Sequence, residues 1–384
     1  MASFDNARIV MKKLLLSLLA AACTTSAQAS SFRTLYSFTG SDGAFPSASL
    51  TVVGDQLYGT TEAGGTYTSG VVFSFAPATD TYTIVHNFTG GGGAEPEGTL
   101  LLAKDGTLYG ITMQGGAVGG GTVYAVANGK EKVVHSFGNG YDGYYTEGNL
   151  IEIGGKLYGV ATSGGANGTG AVFAVTPAGK EEIVYSFGVF EGGDGFFPFA
   201  GLTKFNGALY GIAASGGSNC GNTGCGIVYS LTPQGSESVV YNFGATSTDA
   251  AFPYGVLLGD GKSLYGTTYE GGTYGRGTVY SVNADGTETV IYSFGATGDG
   301  INPYGGVIKV GGKFYGTTYA GGKNGLGTVY SLTPDGHEKV LHSFAGGKGG
   351  SQPVADLVEY NGVLYGTAQN GGYGYTGTIF SVTP

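Results

Sequence analysis

Leu264-Tyr265-Gly266-Thr267-Thr268, then Gly271-Gly272, then Gly277-Thr278-Val279-Tyr280 is the stretch that decides how this chain folds. Large apolar and β-branched residues alternate with small or polar ones at period two, and glycine interrupts them where the chain must turn. The stretch is one copy of seven. A Leu- or Phe-Tyr-Gly element recurs at Tyr58, Tyr109, Tyr158, Tyr210, Tyr265, Tyr315 and Tyr365, at spacings of 51, 49, 52, 55, 50 and 50 residues. Each copy reaches a Gly-Gly pair, from Gly64-Gly65 to Gly371-Gly372, and then a strand of the Gly-Thr-Val-Tyr type. A further strand ends in an aromatic or His, a Ser or Asn, and Phe, as in Ile291-Tyr292-Ser293-Phe294.

Adding the apolar stretch that precedes each Leu-Tyr-Gly, such as that around Leu202, gives four short strands per repeat, A to D. Four strands in about 50 residues is the span of a propeller blade, whereas a β-helix coil is roughly half as long. The order of the strands predicts a closed ring. Leu35-Tyr36-Ser37-Phe38 is a lone D strand, and the last repeat supplies A, B and C but no D before Val382-Thr383-Pro384. A leading strand that completes the final blade removes the unpaired edge that would invite aggregation. The expected fold is therefore all-β, one seven-bladed propeller of four-stranded blades over residues 30–384.

Composition agrees. The 384 residues include 78 glycines, 28 tyrosines and 21 phenylalanines, with only 11% charged. Glycine serves turns, and aromatic residues suit half-buried pleated surfaces. Residues 1–29 read as a signal peptide: Lys12 and Lys13, an apolar run from Leu14 to Ala22, and Ala27-Gln28-Ala29 as a cleavage site. That run is too short for a membrane span. Cys23 after Ala20-Ala21-Ala22 offers an alternative lipoprotein site, and Met11 an alternative start. Removing the segment takes three basic and one acidic residue from totals of 17 and 27, leaving a net charge of −12. Such a balance repels phosphate backbones and anionic lipid, so no nucleic acid and no membrane span are expected. The expected location is secreted or periplasmic, where Cys220 and Cys225 are expected to pair as a disulfide; a metal pair is the rival reading.

These residues resemble the GloVer-type tandem repeat of exported bacterial proteins, whose pattern is Leu-Tyr-Gly-Thr-Thr, Gly-Gly and Gly-Thr-Val-Phe/Tyr. Residues 264–280 and 314–330 match it closely, while blades three and four depart at Val160-Ala161 and Ile212-Ala213. The resemblance implies a secreted repeat protein and carries no catalytic residues with it.

In a propeller the D-to-A and B-to-C connections share one face. Here they are longer and more varied than the tight Asn-Gly and Gly-Gly hairpins opposite, so a site is expected on that face. The D-to-A connections carry Asp42, Asp142, Asp194, Asp249 and Asp299, often before Gly and Pro. They read as turn-closing side chains, with calcium as the alternative. What recurs in every blade serves the blade; what departs is free to meet a ligand. Two places depart most. One is the pair of blade-four loops, with Phe196 and Phe197. The other is the pair of residues after strand B, which supplies Glu62, Tyr269, Tyr319 and Gln369. Phe196, Phe197, Tyr269, Tyr319 and Gln369 are the candidate ligand contacts, because tyrosines stack on sugar faces and hydrogen-bond through their hydroxyls.

His86, His135 and His342 replace tyrosine on strand D, far from any central pocket, and His337 lies in a turn; no nucleophile–base or metal constellation can be assembled. A carboxylate pair is the remaining catalytic option, with Glu62, Glu147, Glu191, Asp194 and Glu270 on the loop face and Glu191 and Glu270 the candidates to test. The expectation is a monomeric binding module for carbohydrate or peptide, without cofactor or metal. A carboxylate-dependent glycoside hydrolase or lyase, and a purely structural envelope protein, are the alternatives.

Overall fold

The computed structural model describes residues 31–138, 141–188 and 193–384. The expected signal peptide, with Cys23, lies outside the described residues. Among the described residues, seven small antiparallel sheets are arranged as a seven-bladed β-propeller, each with four blade strands; in blade five Ala250–Pro253 also pairs with the far end of strand B, making a fifth. Blade five shows the pattern: strand A Leu258–Asp260, strand B Ser263–Gly271, strand C Thr278–Asn283 and strand D Glu288–Ser293.

Blade seven is built from both ends of the sequence. Its strands A, B and C are Val358–Tyr360, Val363–Ala368 and Thr378–Val382, and its outermost strand is Phe32–Ser37. Phe32 pairs with Val382 and Ser37 with Thr378, with a register shift between Thr34 and Tyr36. Every other C–D pair carries a shift at the same place, for example between Val279 and Tyr280 or Val329 and Tyr330. The leading strand thus reproduces the geometry of an ordinary D strand.

The core lies between adjacent blades. Phe205, Tyr210 and Phe243 of blade four pack with Leu257, Leu264 and Tyr280 of blade five. The same arrangement joins Phe38, Tyr365 and Ile379 of blade seven to Leu50, Leu57 and Phe73 of blade one, which closes the ring. The recurring Leu-Tyr-Gly glycine has a direct steric cause. A Cβ on Gly266 would lie 2.5 Å from the hydroxyl of Tyr280 on strand C, and Gly211, Gly316 and Gly366 face Tyr229, Tyr330 and Phe380 in the same way. Those rings are wholly buried. Only a residue without a side chain lets strand C lay its aromatic across strand B.

The Asp residues of the D-to-A turns act on the backbone. Asp299 accepts hydrogen bonds from the Gly295 and Gly300 amides at 3.1 and 2.6 Å and from the Tyr292 hydroxyl at 3.0 Å. Asp194 and Asp249 repeat the set with Tyr185 and Tyr241. In blade two His135 takes the tyrosine position and stands 3.6 Å from Asp142. Cys220 and Cys225 form a disulfide. Among the described residues, no helix is long and apolar enough to cross a membrane.

Candidate functional site

After strand D each connection runs inward along one face, and three successive residues shape its inner end. The first has a positive φ: Phe45, Glu95, Tyr145, Phe197, Phe252, Asn302 and Gln352 all lie between 55° and 59°. That backbone costs an L-residue roughly 1–2 kcal/mol. It is held by the preceding blade, since each of these amides donates to a carbonyl there, Phe45 to Thr376 at 2.8 Å and Asn302 to Arg276 at 2.7 Å. The second residue is Pro46, Pro96, Pro198, Pro253, Pro303 or Pro353, which fixes the exit direction. Its ring fills the space above a glycine of the neighbouring blade: a Cβ on Gly277 would lie 2.6 Å from Pro303 Cδ. Blade three has Thr146 instead, and its hydroxyl donates to the Thr112 carbonyl at 2.9 Å.

The third residue points into the centre. Ser47, Glu97, Glu147, Phe199, Tyr254, Tyr304 and Val354 occupy this equivalent position, one per blade, and all seven line a central cavity of about 640 Å³. Glu62, Tyr269, Tyr319 and Gln369, each the first residue after the five that begin Leu- or Phe-Tyr-Gly, line it too, as does Asp356. A fold with sevenfold pseudo-symmetry therefore encloses a cavity without any.

Its two sides differ in chemistry. Blades one to three supply Glu62, Glu97 and Glu147; blades four to six supply Phe199, Tyr254, Tyr269, Tyr304 and Tyr319. The aromatic side is a packed wall. Tyr254 and Tyr304 stack at 4.9 Å with an interplanar angle of 18°, Tyr269 meets Tyr254 edge-on at 5.8 Å, and Phe199 lies 5.4 Å from Tyr254. On the acidic side Glu62 accepts a hydrogen bond from Gln369 at 3.0 Å; on the aromatic side Gln352 donates to the Tyr319 hydroxyl at 2.8 Å. Among the described residues, no lysine, arginine or histidine lines the cavity.

Burial, reinforced by the charges of Glu147, Glu62 and Glu95, pushes the Glu97 carboxyl up to about 8. Glu147 rises to about 7, through burial and then the charge of Glu62. Burial also raises Glu62, and it lifts Asp356 to about 6 against the opposing hydrogen bond from the Gly306 amide. The Tyr304 hydroxyl is raised by burial and by Glu147, Tyr254, Glu97 and Glu62, so the two walls face each other within electrostatic reach.

Of the residues singled out from sequence, Tyr269, Tyr319, Gln369, Glu62 and Glu147 are brought together here. Glu270 follows Tyr269 on the same strand but is exposed and does not line the cavity. Phe196 is buried in a two-stranded pairing of Gly195–Phe196 with Ser215–Gly216, and its ring meets Phe197 at 5.3 Å. Neither lines the cavity. Glu191 lies outside the described residues. Sequence reasoning missed Glu97, Tyr254 and Tyr304. The signal was present: each follows a proline and precedes a glycine, in Pro96-Glu97-Gly98, Pro253-Tyr254-Gly255 and Pro303-Tyr304-Gly305.

No curated protein matches the chain. Among the solved structures that share its fold are two with clear superpositions. The extracellular domain of BT4673 from B. thetaiotaomicron superposes with a TM-score of 0.60 at 13% identity, covering 92% of this chain and 41% of that one. Oligogalacturonate lyase VPA0088 from Vibrio parahaemolyticus superposes with a TM-score of 0.57 at 11% identity, covering 92% of this chain and 97% of the lyase. The chain thus spans about two fifths of the length of the BT4673 domain. At such identities the likeness is one of fold. The sequence itself matches the profile of the Gloeobacter/Verrucomicrobia repeat over residues 22–223 and again over 218–384, and the chain belongs to that repeat family.

Proposed function

We propose that the protein is an exported, monomeric binding module whose central funnel takes a small glycan or peptide ligand, or the protruding end of a larger one. One observation carries this reading: the ring positions that shape the cavity share a backbone but not a chemistry, giving an acidic wall opposite an aromatic one. A concave site with a broad apolar face and a few convergent polar groups is how proteins hold small ligands. Export is supported by the leader-like sequence of residues 1–29 and by the disulfide between Cys220 and Cys225.

The test is equilibrium binding of oligosaccharide and peptide panels to the wild type and to a Tyr254→Ala/Tyr304→Ala double variant of unchanged melting temperature. At least one ligand should saturate the wild type and bind the variant about tenfold or more weakly, as expected when stacking faces are removed. Silence across both panels would instead favour the structural envelope reading.

The hydrolase reading draws on Glu97 and Glu147. Neighbouring carboxyls with raised proton affinity are the raw material of a general acid and base. Scoring the same glycan panel for new reducing or unsaturated ends, with Glu97→Gln as control, tests it. The acidic wall argues against a polyuronate substrate, whose carboxylates it would repel.

A further inference from the structure

We propose that the ligand of this funnel carries a positively charged organic amine, seated between the carboxylates of Glu62, Glu97 and Glu147 and the aromatic wall of Tyr254, Tyr269 and Tyr304. The inference rests on the funnel being a ligand site, as argued above, and names what it takes.

Two independent features ask for the same charge. The first is the acidic wall. Three carboxyls share a partly dehydrated space with no basic residue among the lining side chains, and the Glu97 and Glu147 carboxylates accept no hydrogen bond from another described residue. Repulsion among them disfavours ionisation, and a cation placed between them would reverse that. The second is the aromatic wall, which owes nothing to the carboxylates. The negative faces of tyrosine rings attract cations within about 6 Å of the ring centre, most strongly where water is excluded.

The pairing also selects among cations. A hard metal ion wants several oxygens converging on one point, and among the described residues no group of three or more acidic, His or Cys side chains is arranged to hold one. Ring faces add nothing to its coordination. An alkylammonium has the opposite character: an apolar surface for the tyrosines, and a diffuse charge or N–H donors for the carboxylates. Anionic ligands are repelled, and neutral ones leave the clustered carboxyls uncompensated.

The experiment is isothermal titration of the full chain with choline and with putrescine at low salt and about pH 7.5. The neutral isosteres 3,3-dimethyl-1-butanol and 1,4-butanediol serve as paired controls. Saturable binding of either cation, at least about tenfold tighter than its isostere, is expected. A Glu97→Gln/Glu147→Gln variant should lose about tenfold or more in affinity while keeping its melting temperature, and Tyr304→Leu should do the same. Binding should also expel protons, because the cation draws Glu97, surrounded by Glu62, Glu95 and Glu147, toward its ionised form. The measured heat should therefore change with the ionisation enthalpy of the buffer.

No saturable heat for either cation up to about 20 mM, or equal binding of cation and isostere, would overturn the inference. So would a glycan or peptide whose binding is lost in Tyr254→Ala/Tyr304→Ala but indifferent to Glu97→Gln. That last outcome leaves the funnel a ligand site and removes only the amine.

Discussion

Two sets of seven equivalent positions run around this ring, and they behave in opposite ways. On strand C the aromatic that lies over the Leu-Tyr-Gly glycine is Tyr or Phe in every blade, as in Tyr124, Phe173, Tyr280 and Phe380, and each is wholly buried. At the inner end of the D-to-A connection the residues are Ser47, Glu97, Glu147, Phe199, Tyr254, Tyr304 and Val354, on a backbone that repeats just as faithfully. The first set is fixed by packing between blades, where a change of one methylene is felt. The second faces a cavity, and the repeated backbone there accepts a different residue type from blade to blade. Shared geometry with unshared chemistry is the mark of a scaffold that carries a site.

The difference predicts unequal costs. Gly266→Ala should be the most damaging, because the added Cβ meets the Tyr280 ring within 2.6 Å in a packed core. A loss of about 2–3 kcal/mol in denaturant unfolding is expected. A cost near zero would mean that the strand-C aromatic is not seated as described.

Next comes a pH effect that also belongs to the repeated framework. Glu237, Glu288 and Glu338 are each raised to about 7, by burial and then by the charges of Asp194, Asp249 and Asp299. The native state holds these protons more tightly than the unfolded chain does. Their contribution is therefore complete below about pH 4.5, is lost as pH rises through about 7, and is flat beyond. Melting temperature should fall across that interval, and the triple Glu→Gln variant should fall less and exceed the wild type at about pH 8. Parallel curves for the two proteins would refute this.

The smallest change should come from Val354→Ser, which gives blade seven the inner-ring residue of blade one. Stability should stay within about 0.5 kcal/mol. A cost above about 1.5 kcal/mol would show that the inner ring is structural after all and erase the contrast.

The repeat made the architecture legible, because seven copies of a glycine–aromatic pattern leave few alternatives to four-stranded blades. The one-strand offset was legible too, since Leu35-Tyr36-Ser37-Phe38 has the same form as Ile291-Tyr292-Ser293-Phe294. The funnel was legible in part. Tyr269, Tyr319 and Gln369 stand out because they vary beside a constant Leu-Tyr-Gly. Tyr254, Tyr304 and Glu97 do not, because the inward turn that aims them is made by a positive-φ residue tied to the neighbouring blade. That tertiary hydrogen bond has no local signature beyond the proline that follows. Glu270 shows the converse: period two along its strand turns it away from the centre where Tyr269 points in.

The pairing of Phe32–Ser37 with Thr378–Val382 also sets an order of events. Thr376 donates to the Phe38 carbonyl across 338 positions of chain, so the first strand of the propeller to be synthesised waits for one of its last. Until then the sheet that will become blade seven has no outer member, and the hydrophobic layer between blades seven and one stays open to water. A prematurely terminated product can never make that last contact. Circular closure thus ties the last blade's outer edge to residues from both ends of the propeller, so neither end can be removed without opening the ring.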